Sequence, residues 1–426
     1  MKLGELLRVL RHRDFRFLWI AQSASVIGDR IVFVALALFV IQLTGSATDL
    51  GLVLAAHGIP FIAFLLIGGV WADRMPRQRV MIATDLTRFV LHGLLAVLIF
   101  TGEVRIWQVV AIEMVFGTAE AFFRPAATGL LPQTVPEAEI QEGNALVEMF
   151  NNVAEFIGPA LATALVLGIG AGTAFAVDAA SFLVSAAFLA RVRARPRGLP
   201  AGAPERGTVW REVKDGFQEV RSRAWVWGTL AAFCVAIFAA LAPWFVLGPT
   251  VAMKQYGHIS VYGFVSAAMG AGTIVGSLIA IRWRPRYPMR LAMLVILAWP
   301  AASILFAAGV PLVVAAPAMV VAGVGIALFE VWWLTALAER IPPDKLSRVT
   351  SYDWMVSLGL LPFGYLLAGP LASAFGDVEV LVVGSGIALV AVAMGLLPRE
   401  TRMLQRVEPE RAAPPVPESH PGVPVP

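Results

Sequence analysis

Long apolar stretches separated by short polar breaks run along most of the chain. Cutting at the breaks gives about twelve stretches of roughly 20 residues or more, the length that an α-helix needs to cross a bilayer. None alternates with the period of two that a barrel strand shows. Because backbone polar groups must be satisfied inside lipid, the pattern predicts an all-α membrane protein with 12 transmembrane helices.

Composition supports this class. Of the 426 residues, 58% are hydrophobic and 15% are charged, whereas soluble domains have about half and about a quarter. A soluble core cannot bury that surplus, so the lipid bilayer is an expected partner. We do not expect a cleaved signal peptide, because the first apolar run is too long, contains Asp29 and Arg30, and leads directly into another span.

The basic residues are distributed unevenly between the two sides of the predicted membrane. Of 33 Lys and Arg, 28 fall in the tails and in the connections on one side, and only Arg105 and Lys254 fall on the other. The positive-inside rule therefore predicts that both termini are cytoplasmic. This asymmetry also explains the net charge of +4 without a nucleic-acid partner.

A Pro-, Gly- and Arg-rich break divides the predicted spans into two sets of six. Its second part places Trp210, Val213, Phe217 and Val220 on one helical face, which is typical of a helix at the membrane surface. The predicted divisions are a cytoplasmic tail (1–16), a six-helix bundle (17–191), a linker with an amphipathic helix (192–223), a second bundle (224–397) and a disordered cytoplasmic tail (398–426).

The two sets of spans resemble each other weakly. At an offset of 206 residues, Gly117 falls on Gly323, Gly158 on Gly364 and Arg124 on Glu330. Such a pattern indicates two pseudo-symmetric halves, for which the usual binding site is their interface near mid-membrane.

The stretch "GGVWADRMPRQR" (68–79) resembles the signature of the loop between helices 2 and 3 in the major facilitator superfamily, with Pro76 where that family usually has Gly. The matching residues are Gly69, Asp73, Arg74, Arg77 and Arg79. "RHRDFRFLWIAQSASVIGDR", "FFRPAATGLLPQTVP" and "NALVEMFNNVAEFIGPAL" resemble the branch with siderophore exporters and macrolide and multidrug efflux pumps. Gly158–Pro159 resembles the kink motif of helix 5 in facilitator exporters.

The resemblance implies a monomeric secondary exporter in a bacterial-type inner membrane. It implies alternating access by rocking of the two halves, and the loop signature as a cytoplasmic gate. The expected substrate is an amphipathic small molecule that leaves the cytoplasm in exchange for protons, with the proton gradient as energy source and no cofactor.

Ionisable residues inside spans cost about 2.5–3.5 kcal/mol on insertion scales, so each needs a partner or water. Asp29 and Arg30 are adjacent and cannot face one another, so we expect them to contact different neighbours. They act either as structural ion pairs or, for Asp29, as a titrating or substrate-binding acid.

The fourth predicted span places Glu113, Gly117, Glu120 and Arg124 on one face. Glu120 precedes Arg124 at the favourable i, i+4 spacing and should pair with it. Glu113 has no partner on its own helix, so it is either a candidate proton carrier or the partner of a loop arginine. Facilitator antiporters often carry Arg at the position of Glu113, so the family's pairing of that Arg with the loop acid does not apply here.

Two further acids stand alone in their spans. Asp178 lies in the sixth and Glu330 in the tenth, and we assign Glu330 to the cavity. Asp85, Arg88 and His92 share a stripe on the third span, where the i, i+3 pair is expected to satisfy itself. The expected proton carriers are therefore Asp29, Glu113 and Glu330.

Enzyme signatures are missing from the sequence. It contains no G-x-x-x-x-G-K-[ST] phosphate loop, no H-E-x-x-H and no G-x-S-x-G, and its five histidines are scattered without metal-ligand spacing. Two alternatives to the exporter remain. One is a lipid or lysolipid transporter of the same fold, and the other is a membrane sensor or assembly subunit without a transport cycle.

If Asp73 holds neighbouring helix ends together in one state of the cycle, Asp73→Asn should slow transport without changing membrane insertion. Comparing transport rates at equal amounts of inserted protein tests this. Unchanged transport would reduce the motif to a topology signal.

Overall fold

The computed structural model describes residues 8–136, 139–193, 217–342 and 359–406, together with 349, 350, 352, 353 and 355. The side chains of Gly69 and Asp73 lie outside the described set, as do Trp210 and Val213 of the predicted surface helix. No strand occurs in the part of the chain that is described.

We number thirteen helices of the described residues α1 to α13. Their bounds are α1 Arg13–Thr44, α2 Ala47–Arg74, α3 Arg77–Thr101, α4 Ile106–Leu130, α5 Ile140–Gly168, α6 Ala171–Leu189, α7 Ala224–Tyr256, α8 Ser260–Arg282, α9 Pro288–Ala307, α10 Leu312–Arg340, α11 Leu361–Phe375, α12 Asp377–Met394 and α13 Arg399–Met403. Eleven candidate membrane spans lie among them, and α11 is a shorter apolar helix. The all-α membrane class is thereby confirmed.

The connections at the two ends of the bundle differ in character. At one end, six tight connections each contain a glycine with positive φ, a conformation that other residues adopt at a cost. These glycines are Gly45, Gly102, Gly170, Gly257, Gly309 and Gly376. We call this end the glycine end. The opposite end, which we call the basic end, carries the α2–α3 connection with its arginines and the outer ends of α1 and α12.

Glycines also mark the closest helix crossings, and they do so at equivalent places in the two halves. A Cβ on Gly117 of α4 would lie 2.1 Å from His57 O of α2, and a Cβ on Gly323 of α10 would lie 1.9 Å from Met269 O of α8. Close backbone approach of this kind is typical of membrane helix pairs. The structure therefore places this predicted repeat pair at corresponding crossings.

The two halves meet at the glycine end. A Cβ on Gly51 of α2 would lie 2.2 Å from Tyr365 O of α11, and a Cβ on Gly369 would lie 2.3 Å from Thr48 Cα. The larger apolar core runs through both halves, whereas α1, α3, α4 and α6 form a separate small core at the basic end of the first half. The bundle is thus closed at its glycine end.

The segments around the bundle differ in part from the predictions. Residues 217–222 are helical and Val220 is buried, while 194–216 and 407–426 lie outside the described residues. The start of the predicted disordered tail instead forms α13, where Thr401 is fully buried. Glu400 Oε2 accepts a hydrogen bond from Trp225 N, 3.3 Å away, so this segment caps α7.

Gly51→Val should open the glycine end, because its side chain would overlap the backbone of α11 and overpacking costs about 1–3 kcal/mol. In a Cys234→Ser background, Leu36→Cys reports opening by its reaction with a membrane-impermeant maleimide applied at that end. We expect labelling about tenfold faster, which corresponds to about 1.4 kcal/mol.

Gly386→Val is the matched control for this substitution. A Cβ at Gly386 would meet no atom within 4 Å, so its labelling rate should equal that of the parent. Equal rates in Gly51→Val and Gly386→Val would contradict the closed arrangement.

Candidate functional site

A cavity of about 650 Å³ lies mainly inside the first half of the bundle. Helices α1 to α5 supply most of its wall, and Phe245, Leu361, Pro362 and Tyr365 complete it from the other half. It extends from mid-helix towards the basic end, as far as Leu131 and Asn144. The sequence predicted a site at the interface between the halves. In the structure the second half supplies only one wall of the cavity.

Ionisable side chains line this cavity together with aromatic rings. The charged or titratable lining residues are Asp29, Arg30, His57, Arg88, His92, Glu113, Glu120, Arg124 and Glu148. The aromatic ones are Phe33, Phe61, Phe116, Phe123, Phe245 and Tyr365. Such a surface can bind a molecule that combines apolar and polar groups.

His57 of α2 joins the two glutamates of α4. Its Nδ1 lies 3.2 Å from Glu113 Oε2, and its Nε2 lies 3.0 Å from Glu120 Oε2. Glu120 Oε1 also accepts from Arg124 Nε at 2.8 Å and lies 2.7 Å from Arg124 Nη2. The predicted Glu120–Arg124 pair is thus present, and the histidine extends it towards Glu113.

His92 of α3 lies on the other side of Glu113. Its Nε2 is 3.4 Å from Glu113 Oε1, and its Nδ1 contacts Asp178 Oδ2 of α6. The imidazole stacks on Phe116, with 4.0 Å between the ring centroids. The sequence left a loop arginine as an alternative partner of Glu113. In the structure Glu113 contacts two histidines.

Arg88 is held in the interior by ionic and aromatic contacts. Arg88 Nη2 donates to Asp85 Oδ1 at 2.5 Å, and Ser185 Oγ donates to Asp85 Oδ2 at 2.6 Å. The guanidinium lies over Phe123 and Phe182, 4.2 and 4.4 Å from their centroids. This pair satisfies itself as expected, but it is fully buried, so a change in either charge would be costly.

Asp29 and Arg30 of α1 contact different neighbours, as predicted. Asp29 Oδ2 lies 3.9 Å from Arg88 Nη1, while Arg30 Nη2 lies 3.5 Å from Glu155 Oε2 of α5. Asp29 is 37% exposed, so its carboxylate faces the cavity more openly than the other acids near Arg88.

The remaining predicted residues lie away from this network. Glu330 of α10 is exposed and is not among the residues that line this cavity, but its carboxylate lies within electrostatic range of Glu148 and Glu155 of α5, and Glu148 does line it. Its assignment to the cavity stays a prediction. Pro159 lies inside an uninterrupted α5, and a Cβ on Gly158 would lie 2.5 Å from Arg30 Cβ. Gly158 therefore permits close packing of α5 on α1.

The arginine-rich α2–α3 connection donates hydrogen bonds to the ends of α4 and α6. Arg77 Nη1 donates to Gly129 O at the end of α4, 2.6 Å away. The neighbouring Gln78 Nε2 donates to Leu189 O and Val192 O at the end of α6, at 2.6 and 2.8 Å. Helix C-terminal carbonyls attract such donors. Arg74 and Arg79 are exposed.

Sequence reasoning missed His57 and the role of His92. The five histidines are far apart along the chain, yet these two meet at Glu113 because α2, α3 and α4 cross there. The signal available was the location of His57 in an apolar span, where any ionisable group needs a partner. Within the described ranges, no group of three or more His, Cys, Asp or Glu has a metal-binding arrangement.

The known proteins that this chain resembles agree in the kind of protein they are. The family model described as Major Facilitator Superfamily matches residues 18–360. Macrolide efflux protein A of Streptococcus pyogenes is 22% identical, over 85% of this chain and 90% of its own. Multidrug efflux pump Tap of Mycolicibacterium fortuitum is 25% identical, over 87% of this chain and 92% of its own. Residues 18–360 lie inside a transporter family, so the chain is not an enzyme.

A solved structure shares the arrangement of helices. A bacterial homologue of the human lysosomal transporter Spinster, in an inward-facing and unoccupied conformation, superimposes with a TM-score of 0.68. The alignment covers 96% of this chain and all of that one at 17% identity. At this identity the likeness shows the fold.

Removing the guanidinium of Arg88 should strongly destabilise the first half, because Asp85 would remain buried without its cation. Loss of one partner from a buried pair costs about 3–5 kcal/mol. We expect a lower thermal unfolding temperature for purified Arg88→Met in detergent. Arg124→Met is the control, since Arg124 is 58% exposed and water can replace it. Equal destabilisation of the two variants would contradict the burial argument.

Proposed function

Because the chain belongs to the major facilitator superfamily, whose family model spans residues 18–360, we propose that it exports amphipathic small molecules in exchange for protons. Its relatives that are named as macrolide and multidrug efflux proteins support export and this substrate class. The proposed location is a bacterial inner membrane, where the chain acts as a monomer.

In the proposed topology, all of α1 to α12 cross the membrane and both termini are cytoplasmic. The charge asymmetry supports this, because the basic end carries the arginines that the positive-inside rule places in the cytoplasm. The cavity then faces the cytoplasm and the closed glycine end faces outward. This is the conformation in which an exporter takes up its substrate.

The observation that carries the proposal is the buried Glu113 between two imidazoles on the cavity wall. Each of these groups can bind or release a proton, and each change alters the charge that a substrate meets. Alternating access then exchanges a proton for a substrate when the halves rock. The proton gradient supplies the energy, and no cofactor is required.

Aromatic rings supply the binding surface for the substrate in this proposal. Phe33 and Phe61 line the cavity beside Asp29, which offers one partly exposed carboxylate. Rings combined with a few partly exposed charges tolerate ligands of many shapes. This combination favours amphipathic molecules over small, fully polar ones.

Glu113→Gln should impair proton-driven uptake of ethidium or a macrolide into inverted membrane vesicles, while expression stays intact. The amide keeps the shape but cannot take part in proton exchange. Uptake is measured with an imposed pH gradient and again after nigericin collapses it. Glu103→Gln, at an exposed acid near the glycine end, is the matched control.

Two results would contradict the proposal. Normal coupling in Glu113→Gln would remove this residue from the proton path. Transport that persists in the wild type after the gradient collapses would favour a lipid transporter, for which no proton is needed.

A further inference from the structure

Four titratable side chains from four helices form one line of contacts inside the first half. His57 of α2 contacts Glu113 of α4, Glu113 contacts His92 of α3, and His92 contacts Asp178 of α6. Each inner member of the line uses a different atom for each neighbour. The line can therefore pass a proton from one end to the other.

Side-chain exposure falls along this line, and almost all of the decrease occurs between His57 and Glu113. The side chain of His57 is 29% exposed, Glu113 is 2%, His92 is 1% and Asp178 is 0% exposed. His57 is therefore the member of the line that is most open to the cavity, whereas Glu113 and His92 only border it and Asp178 does not line it. Asp178 lies seven residues after Ala171, the first residue of α6 at the glycine end, which places it about 10 Å along the helix from that end.

One link of the line is open in this conformation. Glu113 Oε1 and His92 Nε2 are 3.4 Å apart, and neither has a hydrogen-bond partner among the described residues. Both atoms are buried, so leaving them unpaired is costly. A small approach of α3 to α4 would close the link.

We infer that the line His57–Glu113–His92–Asp178 is the proton path of this transporter, with Asp178 as its inner store and His57 as its outlet to the cavity. The inference rests on the proposed proton antiport and names the residues that perform it. Neither Asp29 nor Glu330 belongs to this path.

The steps balance when the proton is followed atom by atom. Neutral Asp178 gives its proton from Oδ2 to His92 Nδ1, and the resulting imidazolium gives its Nε2 proton to Glu113 Oε1. After the Glu113 carboxyl turns, it donates to His57 Nδ1. His57 gives its Nε2 proton to Glu120 Oε2, 3.0 Å away, and Glu120 releases it to water in the cavity and regains its charge. Asp178 ends as a carboxylate, Glu113 regains its charge, and both imidazoles end as the opposite tautomer. The same steps in reverse reprotonate Asp178 after the halves have rocked and His57 meets the opposite side of the membrane.

Other charges surround the path on each side. Glu120 with Arg124 on α4 faces His57. Arg88 and Asp85 lie on the helix of His92, and Asp29 of α1 lies beside Arg88. Arg88 stays paired with Asp85 in the interior, so it acts as a fixed positive charge next to the path.

Gly28 of α1 positions the inner end of the path. A Cβ on Gly28 would lie 2.2 Å from Asp178 Oδ1 and 2.4 Å from Ser181 Oγ. Any side chain there would displace Asp178 from its contact with His92. We therefore assign Gly28 as a positioning residue.

The test uses the purified full chain in proteoliposomes, with ethidium outside, an acidic lumen and the membrane potential clamped. A gradient of one pH unit provides about 1.4 kcal/mol per proton, enough for about tenfold accumulation at one proton per ethidium. The wild type and His258→Gln should accumulate ethidium, because His258 is exposed between α7 and α8. His92→Gln should reach no accumulation above equilibrium.

The outcomes distinguish a failure of the proton path from a failure of the proposed proton antiport. Gradient-driven accumulation in the wild type together with equal accumulation in His92→Gln overturns the path but leaves proton antiport standing. A wild type that ignores the gradient overturns proton antiport itself. Gly28→Ala should give partial accumulation with a shifted pH profile, whereas Gly386→Ala should match the wild type.

A measurement on the unaltered protein guards against misfolded variants. In histidine-labelled wild-type protein, the ring resonances of His57 and His92 should change together with pH, because Glu113 links them. Fully independent changes of the two rings would also overturn the path.

Discussion

A carboxylate cannot remain in a membrane interior without compensation, and this constraint organises the first half of the bundle. Glu113 is almost fully buried, so it requires donors from neighbouring helices. His57 and His92 supply them only if α2 and α3 cross α4 at that level. Gly117, one helical turn further along α4, allows this approach because a Cβ there would overlap the backbone of His57.

The two halves share this scaffold but differ in chemistry. At the crossings that Gly117 and Gly323 mark, Met269 of α8 stands where α2 has His57. At the offset that aligns these glycines, Glu113, His92 and Asp178 correspond to Met319, Ala298 and Gly384. The second half therefore keeps close helix crossings and carries none of the four titratable groups. Its contribution to the cavity is the wall formed by Phe245 and the start of α11.

The sequence was sufficient for features that depend on one helix at a time. Hydrophobic length predicted the spans, and i, i+4 spacing predicted the Glu120–Arg124 pair that the structure contains. The partners of Glu113 depend on where three helices cross, which spacing along one chain cannot determine. The same limit explains α13, whose order depends on a contact with α7.

All contacts of His92 lie within the first half, so a rigid rotation of the halves leaves its surroundings unchanged. His57 differs, because the next residue, Gly58, faces the second half: a Cβ there would lie 2.7 Å from Pro362 Cγ of α11. Rocking of α11 against α2 therefore changes the environment of His57 while Asp178 stays enclosed. The proton path therefore has His57 at the moving interface between the halves and Asp178 inside one rigid half. Only its His57 end responds to the conformation of the transporter. Coupling of proton release to alternating access requires such a response.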